Sequence, residues 1–239
     1  MKTKKIAIIP ARGGSKRIKN KNIANFCGRP MISYCLEAAR ESNIFDEIHV
    51  STDSVEIVAI VEKLGFKVHF LRDQNLADDH TPIRPVLQWV LKEFQNQGTW
   101  YDDCCLLMPT APMIEASDLV EGWKVYEANG REKFCLAVAP YECPIEWAMS
   151  RDDQGMLTPE YPGMFKVRSQ DLGQKYFDTG TFIIYNSEIL CSPYPPEGDT
   201  NFVGHVISRE KAVDIDTPED WKLAEALFEA KKLLSQGRA

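Results

Sequence analysis

The sequence predicts an α/β protein built on a doubly wound, mostly parallel sheet, and two observations carry this prediction. Apolar segments of strand length alternate with longer segments of helix length through about the first 140 residues, which is typical of a parallel sheet covered by helices. The 239 residues, 44% of them hydrophobic, also fit one large domain with a substantial core. We therefore expect a single domain over residues 1–239.

The predicted elements follow one another in regular order. A strand at residues 5–9 leads through a glycine-containing loop to a helix at about 31–41, which begins directly after Pro30. Proline is favoured at a helix start because its missing N–H would have no partner there. The elements predicted next are a strand at 47–51, a helix at 55–64, a strand at 67–71, a helix at 84–95, a strand at 104–108, a helix at 117–128 and a strand at 134–139.

The regular alternation breaks at about residue 141, where prolines and glycines become frequent. Together with the alternating apolar pattern at 181–185, this predicts a small antiparallel insertion over about 141–187, which could serve as a dimerisation arm. The chain then returns to the earlier pattern with a strand at 203–207, an extended segment at 213–216 and a helix from Pro218. Thr217 is the expected N-cap of that helix, with acidic residues in its first turn.

Charge is distributed unevenly along the chain. The formal net charge is −7, yet residues 1–30 contain nine basic residues and no acidic one, so the remainder carries −16. A basic corner on an acidic body suggests a local site for a small anion. We do not expect nucleic-acid binding, because that needs a broad basic face.

The other compositional signals predict a cytoplasmic protein that does not associate with membranes. No apolar run approaches the ~20 residues of a membrane helix, and the apolar stretch near the N-terminus is too short for a signal peptide. The seven cysteines are odd in number and include no Cys-x-x-Cys pair. We therefore expect cysteines of the core rather than disulfides or a zinc site.

The first candidate site is the loop that follows the first predicted strand, Pro10-Ala11-Arg12-Gly13-Gly14-Ser15-Lys16-Arg17. Ligands of open α/β sheets bind at the carboxyl ends of strands, which places this loop favourably. Its glycines let backbone N–H groups approach a ligand closely and its Arg and Lys side chains supply positive charge, so the loop suits a polyphosphate. It matches neither a P-loop nor a dinucleotide-binding glycine motif. The alternative is a solvated basic turn.

The second candidate site is the segment Asp214-Ile215-Asp216. In an extended segment alternate side chains face the same way, so both carboxylates project together while Ile215 turns toward the core. Two such carboxylates bind Mg²⁺ weakly alone and better together with substrate phosphates. The alternative is a pair of exposed acids ahead of a helix.

Two further polar clusters could have either a binding role or a structural one. Arg168 and Gln170 belong to a dense polar stretch in which Arg168 could fork onto a substrate carboxylate, but the stretch could equally be a surface turn. Asp79 and Thr81 precede a predicted helix, where they could simply cap its first turn.

Motifs spread over the whole chain give it a family resemblance. They are, in chain order, Ile8-Ile9-Pro10-Ala11-Arg12-Gly13-Gly14-Ser15-Lys16-Arg17-Ile18 with Lys21-Asn22-Ile23, then Ser51-Thr52-Asp53, Leu76-Ala77-Asp78-Asp79-His80-Thr81, Pro109-Thr110-Ala111-Pro112, Arg168-Ser169-Gln170-Asp171-Leu172 and Asp214-Ile215-Asp216-Thr217-Pro218-Glu219-Asp220-Trp221. In this order they closely resemble the CMP-sialic acid synthetase family of cytidylyltransferases. Residues 77–81, 104–105, 144–145 and 168–172 are most similar to its pseudaminic acid branch, which activates a bacterial nonulosonic acid for surface glycans or flagellin.

The resemblance implies a homodimeric enzyme that transfers CMP from CTP to a 2-keto-3-deoxy nine-carbon sugar acid and releases pyrophosphate. Mg²⁺ is the implied cofactor, held by Asp214 and Asp216. The residues implied to bind the nucleotide are Ala11, Arg12, Gly13, Gly14, Ser15, Lys16, Lys21 and Asn22 at the triphosphate and ribose, and Arg72, Asp79 and Thr81 nearby. The residues implied on the sugar side are Arg168, Gln170 and Met108.

The resemblance also implies a mechanism, an in-line attack of the sugar's anomeric hydroxyl on the α-phosphorus. The implied catalytic residues are Arg12, Lys16, Lys21 and Asp216, and no side chain stands out as a general base. Sialic acid enzymes usually carry Gln where this chain has Met108, and a second basic residue where it has Phe177-Asp178. Pseudaminic acid is therefore the expected substrate, with N-acetylneuraminic or legionaminic acid as the alternatives. An alternative of a different class is a non-catalytic nucleotide-binding protein.

Overall fold

A computed structural model describes residues 3–78, 81–193 and 200–236 of the chain. Its strands are β1 (Lys5–Pro10), β2 (Asn25–Phe26), β3 (Arg29–Pro30), β4 (Glu47–Ser51), β5 (Asp103–Leu107), β6 (Phe134–Pro140), β7 (Met149–Arg151), β8 (Leu157–Pro159), β9 (Tyr176–Asn186) and β10 (Phe202–Val206). Its α-helices are α1 (Ile32–Ser42), α2 (Val55–Lys63), α3 (Ile83–Asn96), α4 (Ala116–Ala128), α5 (Ser187–Cys191) and α6 (Pro218–Gln236).

The centre of the fold is a six-stranded sheet with the order β10-β6-β9-β5-β1-β4. The pairs β1/β4, β1/β5 and β10/β6 are parallel, whereas β9 runs antiparallel to both of its neighbours, β5 and β6. The α/β architecture and the mostly parallel sheet predicted from the sequence are therefore confirmed.

The sheet is covered on both faces, as the doubly wound arrangement requires. Along β1, Ala7 and Ile9 pack into a cluster with α1, α2 and α4, while Ile6 and Ile8 pack with α3 on the opposite face. This division follows from the strand's period of two, which sends successive side chains to opposite faces. Helix α4 approaches the sheet closely at Gly122, where a Cβ would lie 2.8 Å from the Phe182 ring.

The segment expected as an antiparallel insertion over 141–187 divides into two parts. Residues Tyr176–Asn186 form β9, which lies in the middle of the central sheet rather than in an arm. Before it, the short antiparallel pair β7/β8 and several 3-10 turns project as an exposed segment. The alternating pattern identified a strand here but not its partners, because pairing depends on long-range packing rather than on local sequence.

The strand expected at 67–71 does not form, and this prediction was wrong. The segment follows α2 beside β4, the edge strand of the sheet, but makes no ladder with it. Instead Val68 and Phe70 pack against the two core clusters, and the backbone N–H of Arg72 bonds to the carbonyl of Thr52 at 2.7 Å. The apolar pattern was thus produced by packing of an irregular segment, not by strand pairing.

The C-terminal helix begins where the sequence predicts. Thr217 Oγ1 accepts a hydrogen bond from the Asp220 backbone N–H at 3.2 Å, and Asp220 Oδ2 accepts one from the Thr217 N–H at 2.7 Å. This reciprocal pair is a capping box. The helix is tied to the β2/β3 hairpin, because the Phe26 ring packs edge-on against Trp221 and Phe228.

The prediction that the cysteines belong to the core is confirmed for four of the seven. All seven are free, and Cys35, Cys104, Cys105 and Cys135 are buried, whereas Cys143 is exposed. Within the described residues, no helix combines the length and apolar character that a membrane span needs.

Candidate active site

A cavity of about 280 Å³ opens at the carboxyl ends of β1, β4 and β5. Both candidate sites of the sequence contribute to its wall, although they lie about 200 residues apart in the chain. The lining residues are Pro10, Arg12, Ser15, Arg17, Lys21, Asn22, Arg72, Leu76, Asp78, Thr81, Ile83, Val86, Met108, Pro109, Thr110 and Asp216. The position agrees with the rule that ligands of open α/β sheets bind where parallel strands end.

The loop after β1, residues 11–22, is called the basic loop below. Its first part is fixed by contacts to the end of β4. The Ala11 N–H bonds to the Ser51 carbonyl at 2.9 Å, and the Gly13 N–H bonds to Asp53 Oδ1 at 3.0 Å. A side chain at Gly13 would be crowded, since a Cβ there would lie 3.0 Å from the Ser54 Cβ. Glycine is required here for a close backbone approach, and Asp53 sets the direction of the loop.

The second part of the loop folds back onto the first. Asn20 adopts a left-handed conformation before the 3-10 turn Lys21–Ile23, and the buried Asn22 donates from Nδ2 to the Arg12 carbonyl at 3.1 Å. Arg12 and Ser15 line the cavity, while Gly14 and Lys16 lie on the more exposed part of the loop. The loop is therefore a preorganised group of backbone and cationic donors beside a cavity.

Arg72 places a buried positive charge in the cavity wall. Only 6% of the residue is exposed, and its guanidinium donates to the Ser51 hydroxyl at 3.0 Å and to the Ser51 carbonyl at 2.5 Å. Burial lowers the pKa of Arg72 to about 10, with the nearby charge of Asp53 acting in the opposite direction. The side chain therefore remains protonated at neutral pH.

Lys21 joins the basic loop to the acidic segment. Its ammonium donates to the Ile215 carbonyl at 2.6 Å and lies 3.2 Å from Asp216 Oδ1. Arg17 reaches the other oxygen of the same carboxylate, with Nη1 2.8 Å from Oδ2. Ile215 is fully buried, as the alternating pattern predicted, so the acids on either side of it turn away from the core.

The two carboxylates of the acidic segment interact with each other. Partial burial and the negative charge of Asp216 raise the pKa of Asp214. A pair of repelling oxygen donors suits a hard divalent cation such as Mg²⁺. Among the described residues, His, Cys, Asp and Glu form no group of three or more that could hold a metal. The donor set therefore fits an ion that keeps water or phosphate oxygens as its other ligands.

Of the other two residues that the family resemblance implies near the nucleotide, only Thr81 is described. Thr81 lines the cavity, and its backbone N–H bonds to Asp78 Oδ1 at 2.6 Å. The helix that follows has Pro82 at its N-cap without a side-chain capping bond, so the expected capping role of Thr81 is not observed. Asp79 lies outside the described residues.

The three sugar-side candidates are not brought together. Met108 lies at the end of β5 in the cavity wall, but Arg168 and Gln170 are exposed on a 3-10 turn of the inserted segment and do not line the cavity. With its amide oxygen turned toward Arg168, Gln170 accepts from the guanidinium Nε at 3.0 Å. In the single chain, Arg168 and Gln170 are therefore part of an exposed surface turn.

Several residues of the site were not singled out from the sequence. Asp53 positions the basic loop, and Arg17 pairs with Asp216. Asp78 and Thr110 line the cavity. The location of Ser51-Thr52-Asp53 directly after a strand could have identified Asp53. The contact of Arg17 could not have been found, because it joins residues 199 positions apart.

Comparisons with known proteins agree with this geometry. A family model described as cytidylyltransferase matches residues 6–142. A pseudaminic acid cytidylyltransferase of Campylobacter jejuni is 38% identical over 94% of this chain and 96% of its own length. A CMP-N,N'-diacetyllegionaminic acid synthase of Legionella pneumophila is 32% identical with the same coverage of both chains.

Similarity to solved structures supports the fold. A CMP:2-keto-3-deoxy-manno-octonic acid synthetase complexed with CTP superposes with a TM-score of 0.71 at 17% identity, covering 96% of this chain and 100% of the other. The family model, the relatives of similar length and a cavity that joins the basic loop to an acidic segment lead to one conclusion. The chain belongs to the cytidylyltransferase family.

Proposed function

We propose that this protein transfers CMP from CTP to the anomeric hydroxyl of a nonulosonic acid, preferably pseudaminic acid, and releases pyrophosphate in the cytoplasm. The observation that carries the proposal is the cavity in which Arg12, Lys21 and the buried Arg72 face Asp216. Such a group of cations suits a nucleoside triphosphate, and the carboxylate suits the divalent ion that accompanies it.

The triphosphate is assigned to the basic loop. Arg12, Lys16 and the N–H groups of Gly14 and Ser15 would bind phosphate oxygens, because Asp53 and Asn22 already hold the loop in shape. Preorganised donors cost little reorganisation when charge develops on the leaving group. Arg12 and Lys16 would stabilise the charge that grows on pyrophosphate.

The nucleoside is assigned to the wall beyond this loop. Lys21 and Asn22 would hold the ribose, while Arg72 and Thr81 of the cavity wall would lie near the nucleotide together with Asp79. Arg72 is locked by its bonds to Ser51, so it offers a fixed donor rather than a mobile one. Fixed donors favour recognition of one nucleotide geometry.

Asp214 and Asp216 would hold Mg²⁺ against the phosphates. The ion, when bound, supplies charge neutralisation and can lower the pKa of the attacking hydroxyl. Lys21 keeps Asp216 at the edge of the cavity through its bond to the Ile215 carbonyl. Asp216 lies in the cavity wall, and Asp214 is exposed on the other side of the buried Ile215.

The reaction would form one bond and break another at the α-phosphorus. The anomeric oxygen bonds to phosphorus, the bond to the β-phosphate oxygen breaks, and the electron pair leaves on pyrophosphate. The hydroxyl proton passes to solvent, since no described side chain is assigned as a general base. Catalysis then rests on positioning and electrostatic stabilisation.

Pseudaminic acid is preferred as the acceptor because of the relatives and of Met108. The relatives named above act on pseudaminic and legionaminic acids, and an N-acylneuraminate cytidylyltransferase of Escherichia coli is 29% identical to this chain. The apolar side chain of Met108 replaces a polar group at the carboxyl end of β5, where the sugar would approach. Arg168 and Gln170 would complete the sugar side from a homodimer arm.

The test is a panel of the three sugar acids with CTP and Mg²⁺, followed by pyrophosphate release. We expect the highest kcat/KM with pseudaminic acid, and a clear preference for either other acid would overturn the substrate assignment. Arg12→Ala should weaken the use of CTP far more than that of the sugar acid. CTP binding without pyrophosphate release from any of the three would support the alternative of a non-catalytic nucleotide-binding protein.

A further inference from the structure

Two cations share the carboxylate of Asp216, and they are held very differently. Lys21 is fixed by its second bond, to the Ile215 carbonyl at 2.6 Å, and its side chain is 19% exposed. Arg17 has its Nη1 2.8 Å from Asp216 Oδ2, and its side chain is 66% exposed. Lys21 is thus part of the framework, whereas Arg17 can leave the carboxylate without disturbing the fold.

Arg17 and Asp216 meet in the wall of the cavity. Both residues line it, together with Arg12 and Ser15 of the loop. A cation that bound Asp216 from the cavity would meet the guanidinium at the same carboxylate oxygen. The ion pair and a metal ion are therefore competing partners of this oxygen.

At this corner two cations face two carboxylates. Arg17 and Lys21 contribute two positive charges, and Asp214 and Asp216 contribute two negative ones. A free divalent cation gains little at a carboxylate that two cations already contact. A triphosphate changes the balance, because it offers the guanidinium a bidentate anionic partner of higher charge.

We propose that Arg17 is a positioning residue that holds Asp216 while the site is empty and releases it when the triphosphate arrives. The proposal rests on the nucleotide and metal assignments made above. It predicts that the metal ion and the nucleotide enter with positive cooperativity, each raising the affinity for the other. The site would then avoid holding a metal without its substrate.

The test measures metal binding directly, without turnover. Mn²⁺ serves as the probe because it prefers oxygen ligands as Mg²⁺ does, and its free form is counted by electron paramagnetic resonance. The dissociation constant is measured for the full chain without nucleotide and again with saturating CTP and no sugar acid. The variants are Arg17→Ala, Arg17→Lys and, as a control, Lys19→Ala, an exposed cation of the same loop.

For the unaltered protein we expect weak Mn²⁺ binding that CTP strengthens. Arg17→Ala should bind Mn²⁺ about tenfold more tightly without nucleotide, because one competing positive charge is removed. In Arg17→Ala, CTP should increase the Mn²⁺ affinity by a smaller factor than it does in the unaltered protein. Arg17→Lys and Lys19→Ala should bind Mn²⁺ as the unaltered protein does. Circular dichroism confirms that each variant is folded.

Two results would overturn the proposal, and they differ in their meaning for the reaction. Unchanged Mn²⁺ affinity in nucleotide-free Arg17→Ala, with normal binding in the presence of CTP, would reject the role of Arg17 alone. Absence of Mn²⁺ binding even with CTP, while calorimetry shows that CTP binds, would reject the metal assignment as well.

Discussion

The ammonium of Lys21 lies 3.2 Å from a carboxylate oxygen of Asp216, a residue 195 positions later in the chain. This contact brings the basic loop after β1 and the acidic segment before α6 together at the carboxyl end of β1. The site therefore depends on the junction of the first and last parts of the fold, not on a local motif alone.

The first prediction concerns the acidic segment. Asp216→Asn keeps the shape of the side chain but removes the charge that a divalent cation needs. We expect pyrophosphate release to fall at least about 100-fold at limiting Mg²⁺, with partial recovery at high Mg²⁺. Titration of the rate with Mg²⁺ checks this, and full activity at limiting Mg²⁺ would show that Asp216 is not a ligand.

The second prediction concerns Asp53, which bonds to the Gly13 N–H at 3.0 Å. Asp53→Ala removes this acceptor, so the basic loop should lose its fixed direction. We expect KM for CTP to rise about tenfold, an effect of one charged hydrogen bond, while KM for the sugar acid changes little. Asp53→Asn keeps an acceptor oxygen and is the control, because it should lie close to the original protein. Equal increases in both KM values would argue against a role confined to the loop.

The third prediction compares two neighbouring glycines. A Cβ at Gly13 would lie 3.0 Å from the Ser54 Cβ, whereas at Gly14 the nearest atom is 3.9 Å away, on the flexible Arg12 side chain. Gly13→Ala should therefore displace the loop and reduce kcat/KM for CTP much more than Gly14→Ala does. Equal losses in the two variants would mean that crowding against Ser54 does not control the loop.

The sequence allowed the five longer helices, the strands of the central sheet and both parts of the cavity wall to be predicted, because each depends on local pattern. The central position of β9 could not be predicted, since it is set by pairing with β5 and β6. The segment at 67–71 has strand-like composition yet packs without a ladder, so composition misled there. Arg17 and Asp53 gain their roles only through contacts made by folding.

The fourth prediction concerns His49, which is buried in β4 with neither ring nitrogen hydrogen-bonded. Burial, and then the neighbouring His69, lower its pKa from 6.5 to about 3. Because the folded pKa lies below the unfolded one, the unfolded chain takes up the proton first as pH falls. The contribution of His49 to the free energy of unfolding is therefore fully present above about pH 7 and is lost as the pH falls toward 3. Between pH 7 and pH 5 we expect the free energy of unfolding to fall by about 2 kcal/mol.

His49→Phe isolates this contribution. The ring centroid lies 4.5 Å from that of the tilted Phe70 ring and 5.2 Å from that of Phe94, which it meets edge-on, so an apolar ring suits its surroundings. We expect the variant to lose less stability between pH 7 and pH 5 than the unaltered protein does. Urea unfolding at the two pH values measures the difference, and parallel curves would show that His49 does not control the pH response.

The most direct test of the account follows the α-phosphorus itself. CTP labelled at the α-phosphate or at the γ-phosphate is incubated with Mg²⁺ and pseudaminic acid, and the products are separated. If the protein transfers CMP, the α-label appears in a CMP-sugar and the γ-label only in pyrophosphate. Release of the γ-label as orthophosphate, or an α-label that never reaches the sugar, would contradict transfer of CMP by this protein.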